Sequence, residues 1–154
     1  MRFMRLGWGE LVGLTASFVL FLSLFLEWFR TDTSNRNSRI AGVRSTRETI
    51  DAFVAYDYFE YMLMVACLAP IVLALIVMFN VTLSWDRGEV TAIVGLTALV
   101  LILFNGVIGG KPDDAVSVTL SVGYYLALLA SFGIFAGGAI RMLETGPENK
   151  PPGV

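Results

Sequence analysis

The chain has 154 residues, with 11 Lys and Arg, 13 Asp and Glu, no histidine, one cysteine and a net charge of −2. Without histidine there is no His-ligated haem or metal site and no His general base. One cysteine gives neither a CxxC redox pair nor an intramolecular disulfide, and the lack of a basic stripe excludes nucleic acid as a partner.

Hydrophobic residues make up 56% and charged residues 16%, where a soluble domain carries about a quarter charged. The mean hydropathy is +0.71. The apolar residues are clustered. No charged residue occurs between Glu60 and Asp86, between Glu89 and Lys111, or between Asp114 and Arg141. About 20 residues suffice to cross the hydrocarbon core as a helix, and lipid demands that backbone polar groups be satisfied within the segment. These intervals therefore read as membrane-spanning helices.

A first span is expected over about 8–29. Its charge-free core is Leu11 to Leu26, between Glu10 and Glu27, with Trp8 and Trp28 placed for the two interfacial belts. Arg2 and Arg5 also suit the start of a signal peptide, but bulky Leu26-Glu27-Trp28-Phe29-Arg30 offers no small-residue cleavage site. The stretch is read as a retained span.

Residues 30–56 form a long polar loop, and the interval from Arg30 to Glu60 is bipolar. Arg30, Arg36, Arg39, Arg44 and Arg47 crowd its first half beside Asp32 alone. Glu48, Asp51, Asp57 and Glu60 fill its second half. Such a loop can fold back on itself or present a charged surface. Ser45-Thr46-Arg47-Glu48 reads as a capping box, which predicts a short interfacial helix with Ile50, Phe53 and Val54 on its apolar face. Asp57 breaks that register and is read as the cap of the second span, paired with an arginine of the 36–47 stretch.

The second span is expected over about 57–83, kinked at Pro70. The segment Trp85 to Glu89 reads as a tight connection. The third span covers about 90–108 and carries Asn105, able to hydrogen-bond across helices. The breaker-rich Gly109 to Asp114 follows, and the fourth span covers about 115–142. Ala130, Gly133 and Gly137 form a small-residue stripe on it that permits close helix approach. Residues 144–154, with three prolines, read as a disordered tail. The fold class is thus an all-α membrane protein: a four-transmembrane-helix bundle, residues 1–143, with a long first loop containing a short interfacial helix.

Four spans put both termini on one side. The basic residues divide five against six between the two sides, so they set no bias. Arg2 and Arg5 precede the first span to insert, which favours termini in the cytoplasm and an external 31–56 loop in the plasma (inner) membrane.

Glu10 is the notable acid, since an ionisable group within a span marks function by default. Its position one turn from the interface favours a snorkelling or locally paired residue over a transport role. Small multidrug resistance transporters do use a glutamate in their first helix, but they lack a 30-residue first loop. Asp113-Asp114 reads as a solvated turn and Cys67 as a small buried apolar residue. No nucleotide-binding motif occurs.

Leu24-Phe25-Leu26-Glu27-Trp28-Phe29, Thr49-Ile50-Asp51-Ala52-Phe53 before Asp57, and span four with Gly123-Tyr124-Tyr125-Leu126 and Gly137-Gly138 together resemble a group of small, uncharacterised four-span membrane proteins of actinobacteria. The resemblance covers most of the chain and implies four spans but no activity. The span layout also looks like that of claudins, without the cysteine pair of their first loop.

The sequence therefore predicts a non-enzymatic membrane protein with no cofactor and no metal. It acts as a structural or accessory subunit that meets another membrane protein, or itself as a homo-oligomer, through the 30–60 segment. The alternative is a small proton-coupled transporter or channel using Glu10 and Asp57.

Overall fold

The computed structural model describes residues 7–32, 34–35, 37–40, 43–44, 49–52, 59–79, 86–105 and 118–144. Four helices dominate them, as the sequence reading has it: α1 (Trp8–Ser23), α2 (Phe59–Met78), α3 (Arg87–Leu103) and α4 (Val122–Glu144). To these the structure adds short strands: β1 (Glu27–Thr31), β2 (Arg39–Ile40), β3 (Val43–Arg44), β4 (Thr49–Asp51) and β5 (Val118–Leu120).

The helices are rich in Leu, Ala, Val and Gly. Packing rather than propensity decides their arrangement. α4 runs antiparallel to both α1 and α3 and packs closely along each, while α2 completes the ring against α1 and, more sparsely, α3. Close approach demands glycine at two points of α4. A Cβ on Gly137 would stand 2.6 Å from the Gly13 amide nitrogen and 2.8 Å from the Gly9 carbonyl oxygen. A Cβ on Gly138, on the opposite side, would overlap the backbone of Ala92 and lie 2.7 Å from the Gly88 carbonyl oxygen. One helix thus closes on two neighbours at backbone distance.

The residues that face inward on α1 and α3 are mostly small, with Leu20 and Ile102 the exceptions. Gly9, Gly13, Ser17, Leu20 and Ser23 are buried on α1, and Gly88, Ala92, Gly95, Ala98 and Ile102 on α3. Buried Ser17 donates through Oγ to the Cys67 carbonyl of α2 at 2.7 Å. The residues that face outward are large and apolar. They include Phe18 and Leu22 on α1, Val65 and Leu68 on α2, Leu96 and Val100 on α3, and Leu129 and Phe132 on α4.

At one end of the bundle β1 lies between β4 and β5 in an antiparallel three-stranded sheet. Phe29 stands opposite Ile50 and Leu120, and Arg30 opposite Thr49 and Thr119. Trp28 and Phe29 of β1 are fully buried. The Trp28 Nε1–H donates to the Ser23 carbonyl at 2.8 Å, and its ring meets Tyr124 edge-on at 5.8 Å between centroids. The Tyr124 hydroxyl donates to the Ile102 carbonyl at 2.9 Å. α1, β1, α3 and α4 are therefore tied together at this end through two polar tips of aromatic residues.

Several expected boundaries change. α1 ends at Ser23 rather than near residue 29. Three i→i−3 backbone bonds carry a tight turn to Leu26, and extended chain follows. Trp28 is a core residue and not an interfacial belt. Thr49–Asp51, expected in an interfacial helix, is a strand, because its backbone pairs with β1; residues 45–48 and 53–58 lie outside the described set. α4 starts at Val122, after a strand where helix was expected. α3 begins at Arg87, with the Asp86 carboxylate accepting from the Gly88 amide at 2.8 Å, so the supposed turn at 87–89 is already helix. Glu144, placed in the tail, closes α4.

Among the described residues, one helix, α4, is long and apolar enough by length and composition to cross a membrane; α1 and the Tyr61–Ile76 part of α2 are shorter apolar helices.

Candidate functional site

The end of the bundle opposite the sheet carries the buried charge. Glu10 sits in the first turn of α1, where a carboxylate is favoured by free N–H groups. Its Oε2 accepts from the Gly7 amide at 3.1 Å. Its Oε1 faces across the bundle, 3.4 Å from Arg141 Nε on α4 and 3.9 Å from Arg87 Nη1 on α3. Arg141 also reaches Glu144 Oε2 through Nη1 at 3.4 Å, and Glu144 Oε1 accepts from the Trp8 amide at 3.1 Å. Two acids and two bases thus clasp α1, α3 and α4.

The clasp is mostly sequestered: the side chains of Glu10 and Arg141 are 11% and 17% exposed. The close backbone approach of Gly9, Gly13 and Gly137 brings them there. A cavity of about 20 Å³ adjoins Glu10, Arg87 and Arg141, and Pro70 and Leu73 of α2 form its apolar wall. Glu10 Oε1 is buried without a hydrogen-bond donor among the described residues. Arg141 and Arg87 lie within ion-pair range of it without directing an N–H at it.

The described part of the polar interval lies at the other end. Arg39 and Arg44 stand opposite each other in the β2–β3 pair, and Asp51 stands opposite Glu27 in the β4–β1 pair. Glu60 falls in the first turn of α2. Arg36, Arg47 and Asp57 lie outside the described residues, and so does the expected pairing of Asp57. The loop start is ordered by its own polar groups. Asp32 Oδ1 accepts from the Ser34 amide at 2.9 Å and hydroxyl at 2.6 Å. These bonds hold the Asp32 carboxyl below the usual carboxylate range.

Ala130, Gly133 and Gly137 line the α4 seam with α1, where a Cβ on Gly133 would meet Ala16 Cβ at 2.8 Å. Asn105 donates to the Leu101 carbonyl of its own helix at 2.9 Å.

The sequence reading missed Arg87 and Arg141 as partners of Glu10, and missed the sheet with its Trp28–Tyr124 anchor. Both had a signal. Four antiparallel spans put residues 10, 87 and 141 on one side. Val116-Ser117-Val118-Thr119-Leu120-Ser121-Val122 alternates with period two, as a half-buried strand does.

Among the described residues no group of three or more Cys, Asp or Glu converges to hold a metal ion. No protein-family model, curated protein or solved structure matches this chain.

Proposed function

We propose that the protein is a multi-pass integral membrane protein whose four helices all cross the bilayer, and that it acts as a structural or accessory subunit. The supporting observation is the inverted distribution of side-chain size. Gly, Ala and Ser make up most of the buried positions of α1, α3 and α4, with Leu20, Leu63, Ile102 and Ile134 among the larger residues kept inside, while large apolar side chains of every helix, such as Phe18, Leu68, Leu96 and Phe132, face outward. In lipid there is no hydrophobic drive between helices, so they associate through close van der Waals contact at small residues. In water this surface would be a continuous apolar patch of the kind that soluble monomers rarely expose. The helix α4 supports the same reading, since only 33% of its apolar window is buried.

The sheet end carries the recognition surface in this reading. β1 and β4 hold the two ends of the 31–49 segment together, and Trp28 fastens β1 to the bundle. A segment held this way meets a partner with less ordering entropy than a free loop. The termini lie in the cytoplasm and the sheet outside. Copurification in mild detergent tests the role: a stoichiometric membrane-protein partner supports it, and a protein that purifies alone as a monomer contradicts it. Topology is tested by single cysteines at exposed Asn37 and at Pro147, in a Cys67→Ala background. An impermeant thiol reagent should label only position 37 in intact cells.

The second reading is a proton-coupled transporter using Glu10 and Asp57. The buried carboxylate of Glu10 favours it. Against it, Glu10 is engaged by Arg141, and the cavity beside it is too small for an organic solute. Proton-dependent solute uptake by the purified protein in vesicles would establish this reading in place of the first.

A further inference from the structure

We propose that the cavity bounded by Glu10, Arg87 and Arg141 is a binding site for one water molecule, which donates a hydrogen bond to Glu10 Oε1. This goes beyond the functional reading and does not depend on it. The first observation is the carboxylate oxygen itself. Oε1 is buried and receives no hydrogen bond among the described residues, whereas Oε2 is satisfied by the Gly7 amide. A buried charged acceptor left unmade forfeits its full hydration. The guanidinium nitrogens at 3.4 and 3.9 Å balance its charge without filling its lone pairs.

The second observation is the space. The cavity of about 20 Å³ meets Glu10, and about 10–15 Å³ is enough to hold one water. Polar partners surround it in the number that a buried water needs. Glu10 Oε1 accepts, and Arg87 and Arg141 carry N–H donors.

The chemistry selects the occupant. A metal cation would stand beside two guanidinium groups, and an anion beside Glu10. Anything larger than water exceeds the volume. A small neutral molecule that both donates and accepts is the species that fits.

The test uses Gly13, which lines the cavity from α1. A Cβ there would meet only the Thr91 methyl group, at 3.5 Å, an ordinary van der Waals distance. Gly13→Ala therefore adds a methyl group toward the cavity without a backbone clash. In the purified full chain with ¹³C-labelled glutamate, magnetisation transfer from water to the Glu10 side chain is recorded by NMR, with Glu10→Gln assigning the signal. Transfer is expected in the unmodified protein and should be lost in Gly13→Ala. No transfer in the unmodified protein overturns the proposal, whether or not the variant folds. Transfer that persists undiminished in Gly13→Ala overturns it as well, because the water would then lie elsewhere.

Discussion

Glu10 shows how one residue can be legible in kind and illegible in context. Its place near a span end marked it for local pairing, and the end of the bundle shared by residues 10, 87 and 141 followed from four antiparallel helices. The contact itself depends on how closely α1 and α4 approach, which glycine counts alone do not fix. Removing one partner of a mostly buried ion pair leaves an uncompensated charge, so Arg141→Gln should destabilise the bundle by about 3 kcal/mol. The double variant Glu10→Gln/Arg141→Gln should lose clearly less than the sum of the two single changes. Unfolding in detergent measures both, and strict additivity would mean that the 3.4 Å approach carries no coupling. A second residue-scale prediction concerns Asp32, whose depressed carboxyl rests on Ser34. A group with a lowered folded pKa contributes stability above its unfolded value, and that contribution is lost as pH falls through the folded value. Ser34→Ala removes the 2.6 Å hydroxyl bond and should raise the Asp32 titration midpoint toward the ordinary carboxylate range. A ¹³C NMR titration reads this, and an unchanged midpoint would assign the shift to something other than the hydroxyl.

At the scale of elements, α4 is the helix on which the others are assembled. Gly137→Ala already forces a methyl group against the Gly13 backbone, so a loss of about 1–3 kcal/mol is expected from overpacking. Leu129 points outward, 68% exposed, and Leu129→Ile should stay within about 0.5 kcal/mol. Equal melting of the two variants would contradict the seam. At the sheet end, Tyr124→Phe leaves the buried Ile102 carbonyl without its donor, for an expected loss of about 1 kcal/mol. These elements were unequally visible in the sequence. Charge-free intervals revealed α2, α3 and α4, because hydropathy reports burial from water irrespective of packing. The ends were misplaced because Leu24 to Phe29 is apolar throughout, and a uniformly apolar run shows neither a period of 3.6 nor one of 2. The strand at Thr49–Asp51 was masked by a capping box nearby. Backbone pairing with β1, a partner about 20 residues away in the chain, makes 49–51 a strand, and a capping box in the sequence carries no sign of such a partner.

For the whole molecule, the helix contacts are made mostly by small residues and the outer faces mostly by large apolar ones. Copied into water, the same four helices would expose their largest side chains on every side, and hydrophobic association would be expected to collapse or aggregate them. Among the described residues, length and composition together single out α4 as able to cross a bilayer, whereas the exposed faces of α1, α2 and α3 match it in chemistry. About 30 Å of hydrocarbon must be crossed, and α1 with its 16 residues spans about 24 Å by itself. Its apolar turn through Leu26 supplies most of the remainder. The most direct measurement therefore compares the four helices in one experiment. Spin labels are placed singly at Phe18, Leu68, Leu96 and Phe132, outward residues near the middle of each helix, in a Cys67→Ala background in lipid nanodiscs. Their collision rates with oxygen, which partitions into lipid, and with a water-soluble nickel chelate are then compared. Oxygen should dominate at all four positions to a similar degree. Dominance of the nickel chelate at position 18, 68 or 96, with oxygen dominant at 132 alone, would mean that one helix crosses the membrane and would contradict the four-span bundle.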